Sequence, residues 1–194
     1  MQYKLAIDFA IRKLLKELPD YHRYHSIEHT LSVIRSSEFL VSKIKANSQE
    51  KALLLTAAAY HDIGFTRSPD EHEKVGCEIA ADSLPQFGFS AEEIGQIQEM
   101  IMATKIPQSP KSKLAEVLCD ADLDYLGGDK YGVLSESLFD ELGLKGVEMN
   151  QKEWLDFQIS FLEKHHYWTE FAIRVLAPKK ALVLARLKEE RASL

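Results

Sequence analysis

The segment KALLLTAAAY, residues 51–60, is so uniformly apolar that it must be buried, and it runs directly into His61-Asp62. An ionised carboxylate is costly to bury unless a cation or a set of hydrogen bonds compensates its charge. The adjacent imidazole cannot do this alone. The fold is therefore expected to bring further polar partners to this position. The candidates are His25 and His29 upstream and Asp122 downstream.

Nearly every segment has the helical spacing of apolar residues, and no segment alternates convincingly as a β-strand. Helices are predicted over 2–17, from Ser26 through Val41, over 50–62 and 70–84, after Ser90, and over 113–123, 131–142, 150–164 and 168–190. Pro178 is expected to kink or divide the last of these helices. The sequence thus predicts an all-α protein.

Size and composition exclude several classes of protein. The 194 residues suit one domain, and no stretch approaches the roughly 20 apolar residues of a membrane span. The N-terminal pattern contains Asp8, Arg12 and Lys13, which indicates an amphipathic helix rather than a secretory signal, so cytoplasmic residence is expected. Cys77 and Cys119 are expected to be reduced core thiols. A net charge of −6 disfavours general nucleic-acid binding, whereas a homodimer is compatible with the sequence.

The position of His61-Asp62 favours a metal over a core hydrogen bond. Neighbouring residues on a helix diverge by about 100°, so two of them can most easily grip one ion where the helix ends. The C-terminal end of a helix also carries partial negative charge, which favours a cation. Imidazole and carboxylate are ligands that borderline-hard divalent cations bind.

Three sequence contexts resemble the motifs of a known family. YHSIEHTLSVI, AAAYHDIG and DADLDYLG give the order histidine, His-Asp pair and distant aspartate, which resembles the HD-domain superfamily of metal-dependent phosphohydrolases. The resemblance covers about residues 20–130. It implies a compact multi-helix bundle, with the metal site between central helices. Residues 1–194 are expected to form a single HD domain, with the C-terminal helices of 150–194 packing on its core.

The same resemblance implies the metal ligands: His29, His61, Asp62 and Asp122 around one divalent ion. Asp122 fits the family pattern better than Asp120, because a small residue precedes it and an apolar one follows. Some relatives bind two ions through additional histidines. Here His72 is the only histidine between the His-Asp pair and the last aspartate, so one tightly held ion is expected. Its identity among Mn, Mg, Fe, Co, Ni and Zn is open.

Catalytic roles follow from the resemblance and from general chemistry. Asp62 is expected to orient the metal-activated water and to accept its proton. His25 is expected to donate a proton to the leaving oxygen, the role that the resemblance to phosphodiesterases implies for a matching histidine. A capping or surface role for His25 is the alternative. Candidate substrate-binding residues are His72, Glu73, Lys105 and Lys130, each of which could equally be a surface charge. His165 and His166 are expected to be structural.

The function predicted from these residues is hydrolysis of a phosphate ester, of a nucleotide or another small phosphorylated metabolite, by metal-activated water. Two alternatives stay open. One is an HD-type di-iron oxygenase, which the missing middle histidine disfavours. The other is a non-catalytic module that binds metal or nucleotide for regulation.

Overall fold

The computed structural model describes all 194 residues and contains no β-strand, which confirms the all-α prediction. Three short 3-10 helices, Ile63–Thr66, Leu84–Phe87 and Asp124–Gly127, join longer elements. The nine α-helices are α1 (Tyr3–Glu17), α2 (Ile27–Val41), α3 (Ser48–Tyr60), α4 (His72–Ser83), α5 (Ala91–Ala103), α6 (Lys113–Asp122), α7 (Tyr131–Leu144), α8 (Gln151–Lys164) and α9 (Glu170–Ala192).

The chain forms two compact units. The first comprises residues 1–20 and 25–122 and contains α1 to α6, and the second comprises residues 21–24 and 123–194 and contains α7 to α9. No helix combines the length and the apolar character that a membrane crossing would require. The single-domain assignment made from the sequence stays a prediction.

Helix α3 is the centre of the first unit. Every residue from Ala52 to Tyr60 is buried, and α3 packs against α1, α2, α5 and α6. Its start is fixed by a capping box, in which the Asn47 side chain accepts from the Glu50 backbone and the Glu50 carboxylate accepts from Asn47. Because α3 is apolar on all faces, its C-terminal residues also lie inside the core.

Two glycines allow the chain after α3 to approach α4 closely. A Cβ atom at Gly64 would lie 1.9 Å from the carbonyl oxygen of His72, and one at Gly76 would lie 3.2 Å from that of Tyr60. The first distance is impossible for a real side chain, and the second is tight. Gly64 therefore permits the contact that places the start of α4 beside the end of α3.

The second unit has its own core, formed by residues that include Leu126, Leu155, Leu162 and Val183. Pro178 lies inside α9, which continues through it to Ala192, so the helix is not divided there. Since Pro lacks an N–H, its cost is one missing backbone hydrogen bond, and the packing of α9 along α8 outweighs it.

The buried carboxylate of Glu141 contacts three polar groups of the second unit. Glu141 is 1% exposed, and its Oε1 lies 3.1 Å from Nδ1 of His22 and accepts from Nζ of Lys145 at 2.7 Å. Its Oε2 accepts from the backbone N–H of Tyr24 at 2.9 Å. Both oxygens are thus satisfied by protein donors alone.

The close approach at Gly64 predicts that alanine substitutions at two glycines change the free energy of unfolding in opposite directions. Gly64→Ala is expected to destabilise the protein by about 2 kcal/mol or more, because the new methyl group collides with backbone atoms that cannot move aside. Gly95→Ala is the matched control, since nothing lies within 4 Å of its Cβ position in α5. It should stabilise by about 0.5–1 kcal/mol. Urea unfolding measures both changes, and equal effects would contradict the packing described for Gly64.

Candidate metal centre

The end of α3 fixes the orientation of the His61 ring. His61 is the C-terminal cap of α3, and its Nδ1 donates to the carbonyl oxygen of Ala58 at 2.8 Å. A carbonyl oxygen can only accept, so the hydrogen must be on Nδ1. When the ring is neutral, the lone pair is therefore on Nε2. This is the arrangement that a metal-binding histidine requires.

Three other side chains converge on Nε2 of His61. It lies 3.4 Å from Nε2 of His29, 3.2 Å from Oδ2 of Asp62 and 3.5 Å from Oδ1 of Asp122. His29 Nε2 in turn lies 3.1 Å from Oδ1 of Asp122 and 3.6 Å from Oδ2 of Asp62. The structure thus brings together all four residues predicted as ligands.

Each member of this group reaches the centre from the end of a helix. His29 is in the first turn of α2, where its backbone N–H donates to the capping Ser26 hydroxyl at 3.3 Å. Asp62 follows directly after α3, and Asp122 is the last residue of α6. Helices α3 and α6 thus direct their partially negative C-terminal ends toward this centre, which favours a cation.

The donor set fits a divalent ion. The ligand atoms of His29, His61 and Asp122 all lie within 4.8 Å of one another. Oδ2 of Asp62 is buried and has no hydrogen bond of acceptable geometry, although two imidazole nitrogens lie within 3.6 Å of it. A buried carboxylate oxygen facing two ring nitrogens is what a shared cation would satisfy. Two imidazoles and two carboxylates suit Mn, Fe, Co, Ni or Zn.

Burial and charge act against each other in this cluster. Burial alone would raise the pKa of Asp62 and Asp122, but the neighbouring imidazoles of His61 and His29 outweigh it, and both carboxyl pKa values lie well below their usual range. Burial likewise lowers the pKa of His61, but the carboxylates of Asp62 and Asp122 raise it well above its ordinary value. The carboxylates therefore favour the protonated form of His61.

A second layer of rings borders the centre. Nε2 of His72, at the start of α4, lies 3.5 Å from Oδ1 of Asp62 and 3.5 Å from Oε1 of Glu73. Burial is the main cause of a lowered pKa for His72, which favours its neutral form. His25 lies just before the cap of α2, outside the helix, with its ring centroid 6.4 Å from that of His29 and 6.1 Å from that of His72.

Phe65 is the residue of this centre that sequence reasoning missed. Its ring stacks on His72 with centroids 3.9 Å apart and an interplanar angle of 17°, and it lies 4.6 Å from the His25 ring. The side chain is 4% exposed. Phe65 therefore supports both histidines at once. The sequence shows only that Phe65 follows Asp62 by three residues, a position that a core aromatic could equally occupy.

The remaining predicted residues lie elsewhere. Asp120 is fully buried, but Asp122 is the aspartate that contacts the histidines. Lys105 is exposed beside a cavity of about 430 Å³ and makes no hydrogen bond or ion pair with the cluster. Lys130 is exposed before α7 in the second unit. The substrate roles of these lysines stay predictions.

His165 and His166 belong to the second unit. Lys180 donates to the carbonyl oxygens of Leu162 and His165, and its Nζ lies 3.3 Å from Nδ1 of the His165 ring. His166 is exposed, and its ring centroid is 4.2 Å from that of Trp168. The structural role expected for both histidines stays a prediction.

With this geometry in place, comparison with known proteins identifies the family. Residues 26–124, just over half of the chain, match the family model described as the HD domain, and this range contains all four metal-ligand candidates. The chain belongs to the HD domain family. The matched range of the HD domain also holds His72, Glu73 and Phe65.

Two relatives of this HD domain protein are informative. A bifunctional uridylyltransferase/uridylyl-removing enzyme of Cereibacter sphaeroides is 27% identical over 92 residues, a match that covers 42% of this chain and 10% of the relative. The chain thus spans about a tenth of that protein. The crystal structure of a predicted HD superfamily hydrolase from an uncultured Thermotogales bacterium matches with a TM-score of 0.64 at 22% identity, over 96% of this chain and 91% of that one. This second likeness shows the fold.

The raised pKa of His61 predicts how metal affinity depends on pH. At neutral pH the ion must displace a proton from His61, so the affinity should rise with pH, by about tenfold per pH unit for each proton displaced. Calorimetric titration with Mn²⁺ in two buffers of different ionisation enthalpy measures the affinity and the protons released. A pH-independent affinity with no proton release would contradict the protonated cluster described here.

Proposed function

We propose that this protein is a metal-dependent phosphohydrolase that hydrolyses a phosphate ester of a nucleotide or of another small phosphorylated metabolite. The observation that carries the proposal is the convergence of His29, His61, Asp62 and Asp122, with His61 held in the metal-binding tautomer by the Ala58 carbonyl. A divalent ion held by these residues would polarise a phosphoryl oxygen and lower the pKa of a bound water toward about 7.

The two oxygens of Asp62 suit it to a second task besides binding the ion. Oδ2 faces His61 and His29, whereas Oδ1 faces His72 at 3.5 Å. A carboxylate between the metal position and a neutral imidazole can orient a water molecule and accept its proton. His72 and Glu73 would then hold the water network or the substrate on that side.

His25 is the proposed proton donor to the leaving oxygen. It lies just before the capping residue of α2, and its ring centroid is 4.6 Å from that of Phe65. A histidine is suited to this role because its ordinary pKa is close to neutrality. Lys105 and Lys130 are proposed only as cations that could meet the substrate phosphate.

The family relatives support a phosphate ester as the substrate. The Cereibacter sphaeroides protein is named for uridylyl removal, and a uridylyl group is a nucleoside monophosphate unit attached through its phosphate. The solved structural neighbour is titled a predicted hydrolase of the same superfamily. Neither name defines the substrate of this chain, so the first experiment is a panel of nucleoside mono-, tri- and cyclic phosphates with Mn²⁺, Mg²⁺, Co²⁺ or Ni²⁺.

Substitution of Asp62 tests the metal centre. Asp62→Ala is expected to lose both the bound ion and the activity while its helical circular dichroism is retained, because one ligand and the proton acceptor are removed together. Asp70→Ala, at an exposed aspartate eight residues later, is the matched control and should keep both. Metal content is measured on the purified proteins by elemental analysis. Full metal content in Asp62→Ala would contradict the assignment.

Substitution of His25 separates catalysis from metal binding. His25→Ala should keep the ion and lower kcat by about 10²- to 10⁴-fold, the usual contribution of a general acid. His166→Ala, which changes an exposed histidine of the second unit, serves as the control and should leave kcat unaltered. Unchanged kcat in His25→Ala would overturn its proposed role. If no phosphate ester is turned over by the fully metallated wild type, the phosphohydrolase proposal itself fails.

A further inference from the structure

A groove of about 780 Å³ runs between α7, α8 and α9 within the second unit. Each helix contributes residues at helical spacing: Trp154, Leu155 and Gln158 come from α8, and Leu182 and Val183 with their neighbours come from α9. The Phe139 and Trp154 rings, with centroids 5.2 Å apart, join α7 to the floor of the groove. No part of the proposed hydrolytic mechanism uses this surface.

Apolar side chains project from both rims of the groove. Leu182 on α9 is 72% exposed and Val133 on α7 is 68% exposed, and these are the two most exposed large apolar side chains of the chain. A single exposed leucine is ordinary. Two on different helices of one groove, which the partly buried Phe139 and Trp154 also line, are apolar groups of the kind found at contact sites.

The two walls of the groove carry opposite charges. Asp129 and Glu136 lie on the α7 side, and Lys179 and Arg186 lie on the α9 side. These four residues are exposed, and none makes an ion pair within the chain. The α9 side also carries Glu190 near its end, where the Glu190 carboxylate accepts from Gln151. This pattern is self-complementary, since one wall supplies the charges that the other lacks.

The acids and bases are also matched along the length of the groove. At one end of the groove, Gly127 lies against the backbone of Leu176, since a Cβ atom at Gly127 would be 2.6 Å from the Leu176 carbonyl oxygen. Asp129 follows Gly127 by two residues and Lys179 follows Leu176 by three, so both are assigned to this end. At the other end, Phe139 of α7 packs on Trp154 of α8. One turn before Trp154, Nε2 of Gln151 lies 3.5 Å from Oε1 of Glu190 on α9. Helices α7 and α9 therefore run in the same direction, with Glu136 toward Arg186.

We propose that a second copy of this chain docks here, forming a homodimer in which the α9 wall of each copy, with Leu182, packs against the α7 wall of the other. A two-fold axis parallel to the groove turns the basic α9 wall of one copy toward the acidic α7 wall of its partner. An axis across the groove would instead oppose like charges. The charge pattern therefore selects the parallel axis, in which Arg186 meets the partner's Glu136.

The size and chemistry of the surface favour a second copy over a small apolar ligand. The groove is lined by 19 residues, close to the roughly 20–30 residues per side of a standard interface. Aromatic residues at its centre and charges at its rim are the usual composition of such interfaces. An apolar small molecule would cover Trp154 but leave the four unpaired charges unmatched.

Sedimentation velocity of the full chain, over about 1–100 µM, tests the dimer. The wild type is expected to dimerise within this range, since interfaces of this size begin at micromolar affinity. Leu182→Glu should weaken the dimer by about 10- to 100-fold, the effect of losing an interface anchor. The matched control is Leu15→Glu, at a leucine that is 66% exposed on α1 and lies outside the groove. It should sediment as the wild type does.

A charge exchange tests the orientation of the two copies. Arg186→Glu should weaken the dimer, and the double variant Arg186→Glu with Glu136→Arg should restore it, because each pair is re-formed with its charges reversed. Lys4→Glu, at an exposed lysine of α1, is the control for the change in net charge. Thermal melts followed by circular dichroism verify that every variant is folded.

Three results would overturn the proposal. The first is a wild type that stays monomeric throughout the range, and the second is a dimer that resists both Leu182→Glu and Arg186→Glu. The third is native mass spectrometry that detects a monomer retaining a small molecule lost in Leu182→Glu, which would identify the groove as a ligand site. If the dimer is lost in Arg186→Glu and is not restored by the double variant, the proposed orientation of the two-fold axis is wrong.

Discussion

The burial of Asp62 at the end of α3 is the constraint on which the first unit depends. Helix α3 is apolar on every face, so the residues that follow it cannot reach water without unpacking the helix. Leaving a carboxylate there without compensation would cost several kcal/mol, a large part of the 5–15 kcal/mol that stabilises a typical protein. The elements around α3 must therefore supply compensating groups, and they do so with His29, His61 and His72.

Comparison with Glu141 shows how the surroundings of Asp62 differ from those of a carboxylate whose hydrogen bonds are complete. Both carboxylates are almost completely buried. Glu141 is satisfied by protein donors on both of its oxygens, among them a backbone N–H and a lysine ammonium. Oδ2 of Asp62 has no hydrogen bond, and the nitrogens nearest to it also approach each other. Glu141 is thus surrounded by donors, whereas Asp62 is surrounded by side chains that could bind a shared cation.

Supporting contacts orient the side chains of the centre. The Ala58 carbonyl orients His61, the Ser26 cap fixes the backbone at His29, and Phe65 supports His72 and His25. Groups that already point at the ion need little rearrangement to bind it. The close approach at Gly64 extends this arrangement to the start of α4, because it brings the backbone of His72 against the chain that follows Asp62.

Much of this could be predicted from the sequence, for physical reasons. Helical periodicity and capping residues such as Ser26, Asn47 and Ser90 act locally, so the helix boundaries are predicted to within about two residues. The four ligand candidates follow from the cost of burying His61-Asp62 and from the family motifs. The role of Phe65 could not be predicted, because a buried aromatic residue has the same sequence signal whether it supports a core or a site. The groove of the second unit could not be predicted either, since it depends on how three helices pack against one another.

The potential metal ligands are distributed unevenly around Asp62. On its Oδ2 side there are His29, His61 and Asp122, which complete a four-residue set. On its Oδ1 side only His72 and Glu73 are close, and EMIMATKIP supplies no further histidine. His72 is held neutral by burial and could bind a metal, but a position with fewer ligands holds an ion more weakly. This asymmetry is in keeping with the proposal of one tightly bound ion.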